Sequence, residues 1–205
     1  KDDSARIAYY DDKLRNEILW NQEITAQLAD AIRNRDLRPY LQPIADTDGN
    51  IVGCEALVRW IHKDHGFLGP FRFIPSLEKN GLIVEVDKYM WRCACEILSE
   101  WKKRGWNMFV SVNISPKDFY YLDVPEYIKG LVDEYGLDPK QLRVEITESV
   151  MVTDSDKVVS IMQKFRDYGF IVEMDDFGSG YSSLNMLKSL PVDVLKIDMN
   201  FLGKT

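Results

Sequence analysis

The sequence predicts an α/β fold with a parallel sheet and helical crossovers, and three observations support this prediction. From residue 37 onward, short apolar runs alternate with amphipathic segments of helical length, which is the order of β/α units. Within the apolar runs the polar side chains keep to one parity, so each strand has one polar face. Most of these polar side chains fall at the carboxyl ends of the strands, which form the functional rim of a β/α barrel.

Two segments precede the alternating region. Residues 1–12 contain a short strand-like run closed by two aspartates, and we interpret them as the tail of an upstream domain. Residues 13–35 are predicted to form a connecting helix, because apolar residues from Leu14 to Ile32 recur near helical spacing.

The alternating region, residues 36–205, contains six strand candidates and four helix candidates. The predicted strands are 39–44, 51–59, 108–114, 142–147, 170–175 and 192–197. The predicted helices are 83–104, 125–135, 155–168 and 181–189. The prolines from Pro70 to Pro191 are expected to lie between these elements, where they interrupt no backbone hydrogen bonding.

Composition and charge exclude several classes of function. Hydrophobic residues make up 45% of the 205 residues, and no apolar run reaches the ~18 residues that a transmembrane helix needs. The net charge of −7 argues against binding to duplex DNA or RNA, which favours a basic surface. The three cysteines cannot all pair within the chain and are predicted to be reduced core residues. We therefore expect a cytoplasmic domain, whose parent protein could carry a membrane anchor elsewhere.

Polar residues at the ends of five strands are predicted to converge on one site. The converging residues are Glu55, Asn113, Glu145, the pair Asp175 and Asp176, and Lys196. Buried carboxylates need a compensating cation, and oxygen ligands suit Mg²⁺, Mn²⁺ or Ca²⁺ better than zinc or copper. Adjacent aspartates could let one carboxylate bridge two ions, and two metals ~3.5–4 Å apart are a known device for hydrolysing phosphate esters.

Each of these residues also has an ordinary explanation when it is taken alone. A glutamate at a strand end is commonly a cap or a salt-bridge partner, and an asparagine is commonly a turn residue. The segment Gly178-Ser179-Gly180 lacks the spacing of a P-loop or a dinucleotide-binding loop, so we interpret it as a flexible loop beside the metal site. The repetition over five strands favours a site, but the pattern alone does not define the reaction.

Seven short motifs follow one another along the chain. They are Tyr40-Leu41-Gln42-Pro43-Ile44, Glu55-Ala56-Leu57-Val58-Arg59-Trp60, Phe73-Ile74-Pro75-Ser76-Leu77-Glu78, Val112-Asn113-Ile114-Ser115, Glu145-Ile146-Thr147-Glu148-Ser149, Asp175-Asp176-Phe177-Gly178-Ser179-Gly180-Tyr181-Ser182-Ser183 and Leu195-Lys196-Ile197-Asp198. In order and spacing, from about residue 22 to residue 205, they resemble the EAL-domain family of cyclic di-GMP phosphodiesterases. Ser179 replaces the threonine that is commoner in the family, and this change keeps a hydroxyl group.

The resemblance implies a TIM-like (β/α) barrel, preceded by a linker helix, that hydrolyses cyclic di-GMP to linear pGpG with Mg²⁺ or Mn²⁺. It assigns metal binding to Glu55, Asn113, Glu145, Asp175 and Asp176, and catalytic roles to Glu55, Lys196 and Glu148. It assigns substrate binding to Gln42, Leu57, Arg59 and Asp198. Lys196 would polarise the attacking water, and Glu148 would anchor the loop 177–183, which links metal binding to dimer contacts in this family.

The resemblance also sets expectations about the remainder of the protein. A barrel of this type has eight strands and ~250 residues, whereas six strands are predicted here. We therefore expect a C-terminally truncated EAL domain that is inactive as this chain alone. Residues 1–12 resemble the end of a GGDEF domain, which implies an upstream GGDEF or sensory domain in the parent protein. A homodimer through the loop 177–183 is also expected.

Two other functions compete with the phosphodiesterase. An EAL-like module can bind cyclic di-GMP as a receptor without hydrolysis, but such modules usually lose metal carboxylates, and the expected residues remain here. An unrelated β/α-barrel enzyme, such as an Mg²⁺-dependent lyase, would share the fold but not the ordered motifs.

Overall fold

The secondary structure follows from a computed structural model that describes residues 12–148, 150, 155–178 and 190–198. The helices are α1 (Asp12–Arg33), α2 (Pro70–Lys79), α3 (Ile83–Lys103), α4 (Asp118–Tyr121), α5 (Val124–Glu134) and α6 (Ser155–Asp167). The strands are β1 (Leu37–Ala45), β2 (Ile51–His62), β3 (Gly66–Leu68), β4 (Phe109–Asn113), β5 (Leu142–Thr147), β6 (Val172–Phe177) and β7 (Val194–Ile197). Residues 1–11 of the predicted domain tail 1–12, and the predicted helix 181–189, lie outside the described residues.

One sheet contains all of the described strands, in the order β1-β2-β4-β5-β6-β7, with β3 paired to β2. The neighbours from β2 through β7 on this path are parallel, and helices connect successive members from β2 to β6. This part of the sheet agrees with the predicted β/α alternation.

The prediction of a parallel sheet is wrong for the first strand, because β1 runs antiparallel to β2. Only residues 46–50 separate the two strands, whereas a parallel crossover needs a dozen or more residues. The Asp46 side chain closes this turn by accepting hydrogen bonds from the backbone N–H groups of Asp48 and Asn50. Gly49 adopts a φ of 84°, which glycine tolerates without steric cost.

Helices α2 and α4 and the short strand β3 were not among the predicted elements. The expectation that the prolines lie between elements is wrong at Pro75, which lies inside α2, and at Pro70 and Pro125, which lie in the first turns of α2 and α5. Proline fits a first turn because the N–H group it lacks has no helical acceptor there. The buried side chains of Phe73 and Leu77 hold α2 against the core despite the internal proline.

Helix α1 packs against the barrel through a buried stripe and a set of polar contacts. Ile24, Leu28 and Ala31 are buried on its inner face. The Trp20 indole N–H donates to the carbonyl of Arg72 at 2.7 Å, which joins α1 to α2. Among the described residues, no helix combines the length and apolar character that crossing a bilayer requires.

The apolar core lies between the sheet and the helices, and the opposite face of the sheet is polar. Val110, Val112, Val144 and Ile146 are buried on the helix side of β4 and β5. The intervening positions of these strands and of β6 carry polar side chains, as the strand period of two requires. The polar side chains of β4, β5 and β6 therefore share the face of the sheet opposite the helices.

Candidate active site

The parallel strands β2, β4, β5, β6 and β7 bring together five side chains, which we call the carboxylate cluster; Glu55 lies in the middle of β2 and not at its predicted carboxyl end. They are Glu55, Asn113, Glu145, Asp175 and Lys196. The Lys196 ammonium lies among the carboxylates, 2.9 Å from an oxygen of Glu55, 2.8 Å from one of Glu145 and 3.9 Å from one of Asp175. The Asn113 amide donates to the other oxygen of Glu55 at 3.2 Å.

The parallel register turns these side chains to one face of the sheet. Asn113 pairs with Glu145, and Thr147 pairs with Asp175, so the polar positions of adjacent strands point to the same side. The end of β4 is fixed from outside the sheet by the Trp91 indole, which donates to the carbonyl of Asn113 at 3.0 Å.

The electrostatics of the cluster favour a bound cation. Burial raises the pKa of Glu145, and this effect outweighs the opposing hydrogen bond from Lys196. Burial lowers the pKa of Lys196, but hydrogen bonds to Glu145 and Glu55 outweigh that effect and raise it. Oxygen Oε2 of Glu145 is buried and has no hydrogen-bond donor among the described residues. A carboxylate oxygen in that state needs a cation or a proton.

The turn after β6 presents the second aspartate of the predicted metal site. Asp176 has a φ of 56°, a conformation that non-glycine residues seldom adopt, and its side chain is exposed. Burial raises the pKa of Asp176, and the neighbouring Asp175 and Asp198 carboxylates raise it further. The buried Glu148 carboxylate accepts the backbone N–H of Gly178 at 2.8 Å and so fastens this turn.

The four predicted substrate residues lie around the cluster. Gln42 pairs with Glu55 across β1 and β2. Leu57 and Arg59 line a cavity of about 400 Å³ that also reaches Asn113. Arg59 donates to the carbonyl of Val58 at 2.8 Å. Asp198 follows β7, and its backbone N–H donates to the carbonyl of Phe177 at 3.2 Å.

The same cavity contains an acidic residue that sequence reasoning missed. Asp87 of α3 lines the cavity together with apolar side chains, among them Ile74 and Met90. Burial, with the adjacent Asp118 carboxylate, raises the pKa of Asp87 well above its ordinary value. A single aspartate on an amphipathic helix gives no sequence signal of this kind, because most such residues face solvent.

A polar layer beneath the cluster was also missed. Glu173, which is 1% exposed, accepts from the hydroxyl of Ser111 at 2.9 Å and from the guanidinium of Arg143 at 2.9 Å. These residues lie two positions before Asn113, Glu145 and Asp175 on the same strands and the same face. We call Ser111, Arg143 and Glu173 the lower layer.

A second group with metal-ligand chemistry lies on the other face of β2. One ligand atom each from Glu23, His62 and His65 lies within 4.8 Å of the others. The Nδ1 atom of His62 accepts the backbone N–H groups of Asp64 and His65, so in the neutral ring the proton is on Nε2. Nε2 is the atom that faces Glu23, at 3.9 Å. This protonation opposes metal binding there and favours a polar contact between α1 and β2.

Comparison with known proteins identifies the family. A family model described as EAL domain matches residues 25–205. The chain belongs to the EAL domain family. This EAL domain is 34% identical over 186 residues to the bifunctional diguanylate cyclase/cyclic di-GMP phosphodiesterase MucR of Pseudomonas aeruginosa. The aligned region covers 89% of this chain and 27% of MucR. It is 35% identical over 176 residues to the "Probable cyclic di-GMP phosphodiesterase PdeB" of Escherichia coli K12, covering 85% of this chain and 34% of that protein.

The structural comparison agrees with the sequence comparison. The structure of the PaMucR phosphodiesterase in complex with c-di-GMP matches with a TM-score of 0.82 and 34% identity, covering 89% of this chain and 76% of that chain. The predicted EAL family and the predicted TIM-like barrel class are thus confirmed. The described strands form an arc that is not closed into a barrel. This EAL domain spans between 23% and 29% of the length of the first three curated relatives that it matches.

Proposed function

We propose that this EAL domain is a metal-dependent phosphodiesterase that hydrolyses cyclic di-GMP to linear pGpG. The observation that carries the proposal is the carboxylate cluster, in which Glu55, Glu145 and Asp175 surround a single ammonium group. The names of MucR and PdeB, and the c-di-GMP complex of MucR, support the choice of substrate.

The residues of the cluster fit a divalent cation. The donor set consists of carboxylate and amide oxygens, which suits Mg²⁺ or Mn²⁺. The buried Oε2 of Glu145, which has no donor among the described residues, fits the same ions. Glu55, Asn113, Glu145 and Asp175 would hold one ion, and Asp175 with Asp176 would hold a second. When bound, two such ions neutralise a phosphodiester and lower the pKa of a coordinated water.

The remaining residues would position the substrate and orient the attacking water. Lys196 lies in hydrogen-bond contact with Glu55 and Glu145, so its ammonium is held where it can orient a water and stabilise charge that develops on phosphate oxygens. Arg59 would contact a phosphate, and Gln42 a guanine. The cavity of about 400 Å³ beside Asn113, with its largely apolar wall, would accept a planar base.

We also propose how this domain is connected within its parent protein, how it dimerises and where it is located. We infer that residues 1–12 and the connecting helix 13–35 join the EAL domain to an upstream GGDEF or sensory domain, since MucR is named as bifunctional. A homodimer would form through the loop 177–183, of which residues 179–183 lie outside the described residues. A cytoplasmic location follows from a substrate that signals inside bacterial cells.

Hydrolysis of cyclic di-GMP tests the proposal. The domain, within its complete parent protein, is incubated with Mg²⁺ or Mn²⁺, and pGpG is measured by chromatography. We expect turnover in the wild type and a loss of at least about 10²-fold in Glu55→Gln. The Asp46→Asn variant, which removes an exposed carboxylate from the β1–β2 turn, is the matched control and is expected to retain activity. Binding of cyclic di-GMP without turnover would replace the enzyme by a receptor.

A further inference from the structure

Glu173 of the lower layer is a buried carboxylate that the proposed mechanism does not use. It is 1% exposed and lies in register with Glu145 on the adjacent strand. Both of its oxygens are already engaged, one by Ser111 and the other by Arg143. The Arg143 guanidinium also lies over the Phe109 ring, 3.3 Å from its centroid, which fixes its orientation. Glu173 is therefore a fixed acceptor with a compensated charge.

In contrast to the two oxygens of Glu173, one oxygen of Glu145 lacks a hydrogen-bond donor among the described residues. Lys196 donates to Oε1 of Glu145, while Oε2 is buried and receives no donor among the described residues. The Glu173 carboxylate is paired with Glu145 across β5 and β6, and because both of its oxygens accept hydrogen bonds from Ser111 and Arg143, it offers Glu145 no donor. A donor at position 173 would instead bind Oε2 of Glu145 and draw it away from the level of Asn113 and Asp175.

We propose that Glu173 is a positioning residue that reserves Oε2 of Glu145 for a divalent cation by withholding any hydrogen-bond donor from it. Arg143 and Ser111 contribute by donating a hydrogen bond to each oxygen of Glu173. This inference rests on the proposed function, because it assigns Glu145 to metal binding. It identifies position 173, outside the predicted metal ligands, as one where a hydrogen-bond donor would weaken metal binding.

Two double variants separate this role from a simple effect of charge. Arg143→Met with Glu173→Gln, and Arg143→Met with Glu173→Met, both remove one positive and one negative charge from the lower layer. They differ in the glutamine amide, which can donate a hydrogen bond to Glu145, whereas methionine cannot. A purely electrostatic role of the layer predicts equal metal affinity in the two variants.

The experiment measures the dissociation constant for Mn²⁺ by isothermal titration calorimetry in the absence of substrate. We expect the Arg143→Met/Glu173→Met variant to bind Mn²⁺ within about threefold of the wild type. The Arg143→Met/Glu173→Gln variant should bind about 10- to 100-fold more weakly, the usual effect of altering groups that orient metal ligands. The Glu134→Gln variant, which breaks the exposed Arg92–Glu134 pair, controls for loss of a carboxylate elsewhere and should match the wild type.

Each outcome has a distinct meaning. Equal affinities in the two double variants, with both folded by circular dichroism and thermal melting, would overturn the role of Glu173. Absence of Mn²⁺ binding by the wild type would instead overturn the proposed function. If either double variant fails to fold, the single variant Glu173→Gln replaces the pair, and unchanged Mn²⁺ affinity in it would equally overturn the inference.

Discussion

Lys196 occupies the centre of the carboxylate cluster, and its charge compensates the acidic groups around it. It lies within 4 Å of Glu55, Glu145 and Asp175, of which the Glu145 side chain is fully buried. We expect Lys196→Met to destabilise the metal-free protein by about 3–5 kcal/mol, because it leaves buried carboxylates without a counter-charge. Thermal melting should show a larger Mg²⁺-induced stabilisation in this variant than in the wild type.

The Lys196→Met substitution should affect metal binding and catalysis differently. Since methionine adds no ligand and removes a competing cation, Mn²⁺ affinity should be equal or higher, while kcat should fall by about 10²- to 10³-fold. Weaker Mn²⁺ binding in Lys196→Met would contradict the view that the ammonium and the metal compete for the same carboxylates.

We expect Glu145 to make the proposed metal binding dependent on pH. Burial raises its pKa from 4.5 to about 8, so below that pH a cation must displace a proton. Mn²⁺ affinity should therefore rise by up to about tenfold per pH unit below pH 8 and level off above it. Calorimetric titrations in buffers of different ionisation enthalpy would report the released proton, and a pH-independent affinity would contradict the prediction.

The stability of the metal-free protein should change in the opposite sense. The folded-state pKa of Glu145 lies above its unfolded value, so its contribution to stability is present below about pH 4.5 and is lost as the pH rises through about 8. Added Mg²⁺ should abolish this loss, which denaturant unfolding at several pH values would measure.

Among the structural elements, the turn after β6 depends on one buried carboxylate. Glu148 accepts the N–H of Gly178, two residues beyond the strained Asp176. Glu148→Ala should lower cyclic di-GMP turnover by about tenfold or more, because the turn that presents Asp176 loses its anchor. Glu148→Gln keeps an acceptor oxygen and should retain more activity. Faster hydrogen exchange of the Gly178 amide in the alanine variant would show that the turn after β6 has loosened. An unchanged exchange rate would refute the anchoring role of Glu148.

Helix α1 is the element that would connect the barrel to an upstream domain. Its Ile24 side chain is fully buried against the barrel, whereas Ile18 is 39% exposed. Ile24→Ala should cost about 2–5 kcal/mol, and the matched Ile18→Ala variant about 0.5 kcal/mol or less. Urea unfolding of the two variants measures the difference, and equal costs would show that α1 contributes little to the fold in solution.

The elements also show where sequence reasoning succeeded and where it failed. The strands that carry Glu55, Asn113, Glu145, Asp175 and Lys196 were predicted because alternation along a strand fixes which side chains share a face. The antiparallel direction of β1 was missed, although the five-residue connection with Asp46 and Gly49 was its signal. Helix α2 was missed because internal Pro75 argues against a helix unless tertiary packing compensates.

The missed residues share a physical cause. Asp87, Arg143 and Glu173 acquire their environment from partners 30 or more residues away, such as Ser111 for Glu173. Spacing within one strand or helix does not reveal such contacts. The lower layer in particular required the register between β4, β5 and β6 before its charges could be paired.

At the scale of the whole molecule, the net charge of −7 predicts that recognition of the proposed ligand, which carries two phosphates, depends on cations. We expect binding of cyclic di-GMP to weaken by at least about tenfold when EDTA removes divalent ions. Fluorescence anisotropy of a labelled ligand would show this. Tight binding of cyclic di-GMP in the presence of EDTA would contradict this prediction. It would indicate that Arg59 and the neighbouring residues bind the ligand without a metal ion.

The location of the metal tests the account most directly. Crystals grown with Mn²⁺ would be measured at a wavelength where manganese scatters anomalously. We predict an anomalous peak among Glu55, Asn113, Glu145 and Asp175, with Lys196 displaced from at least one carboxylate that it contacts in the metal-free state. A peak only at Glu23, His62 and His65, or no peak at all, would contradict the assignment of the strand-end cluster as the catalytic metal site.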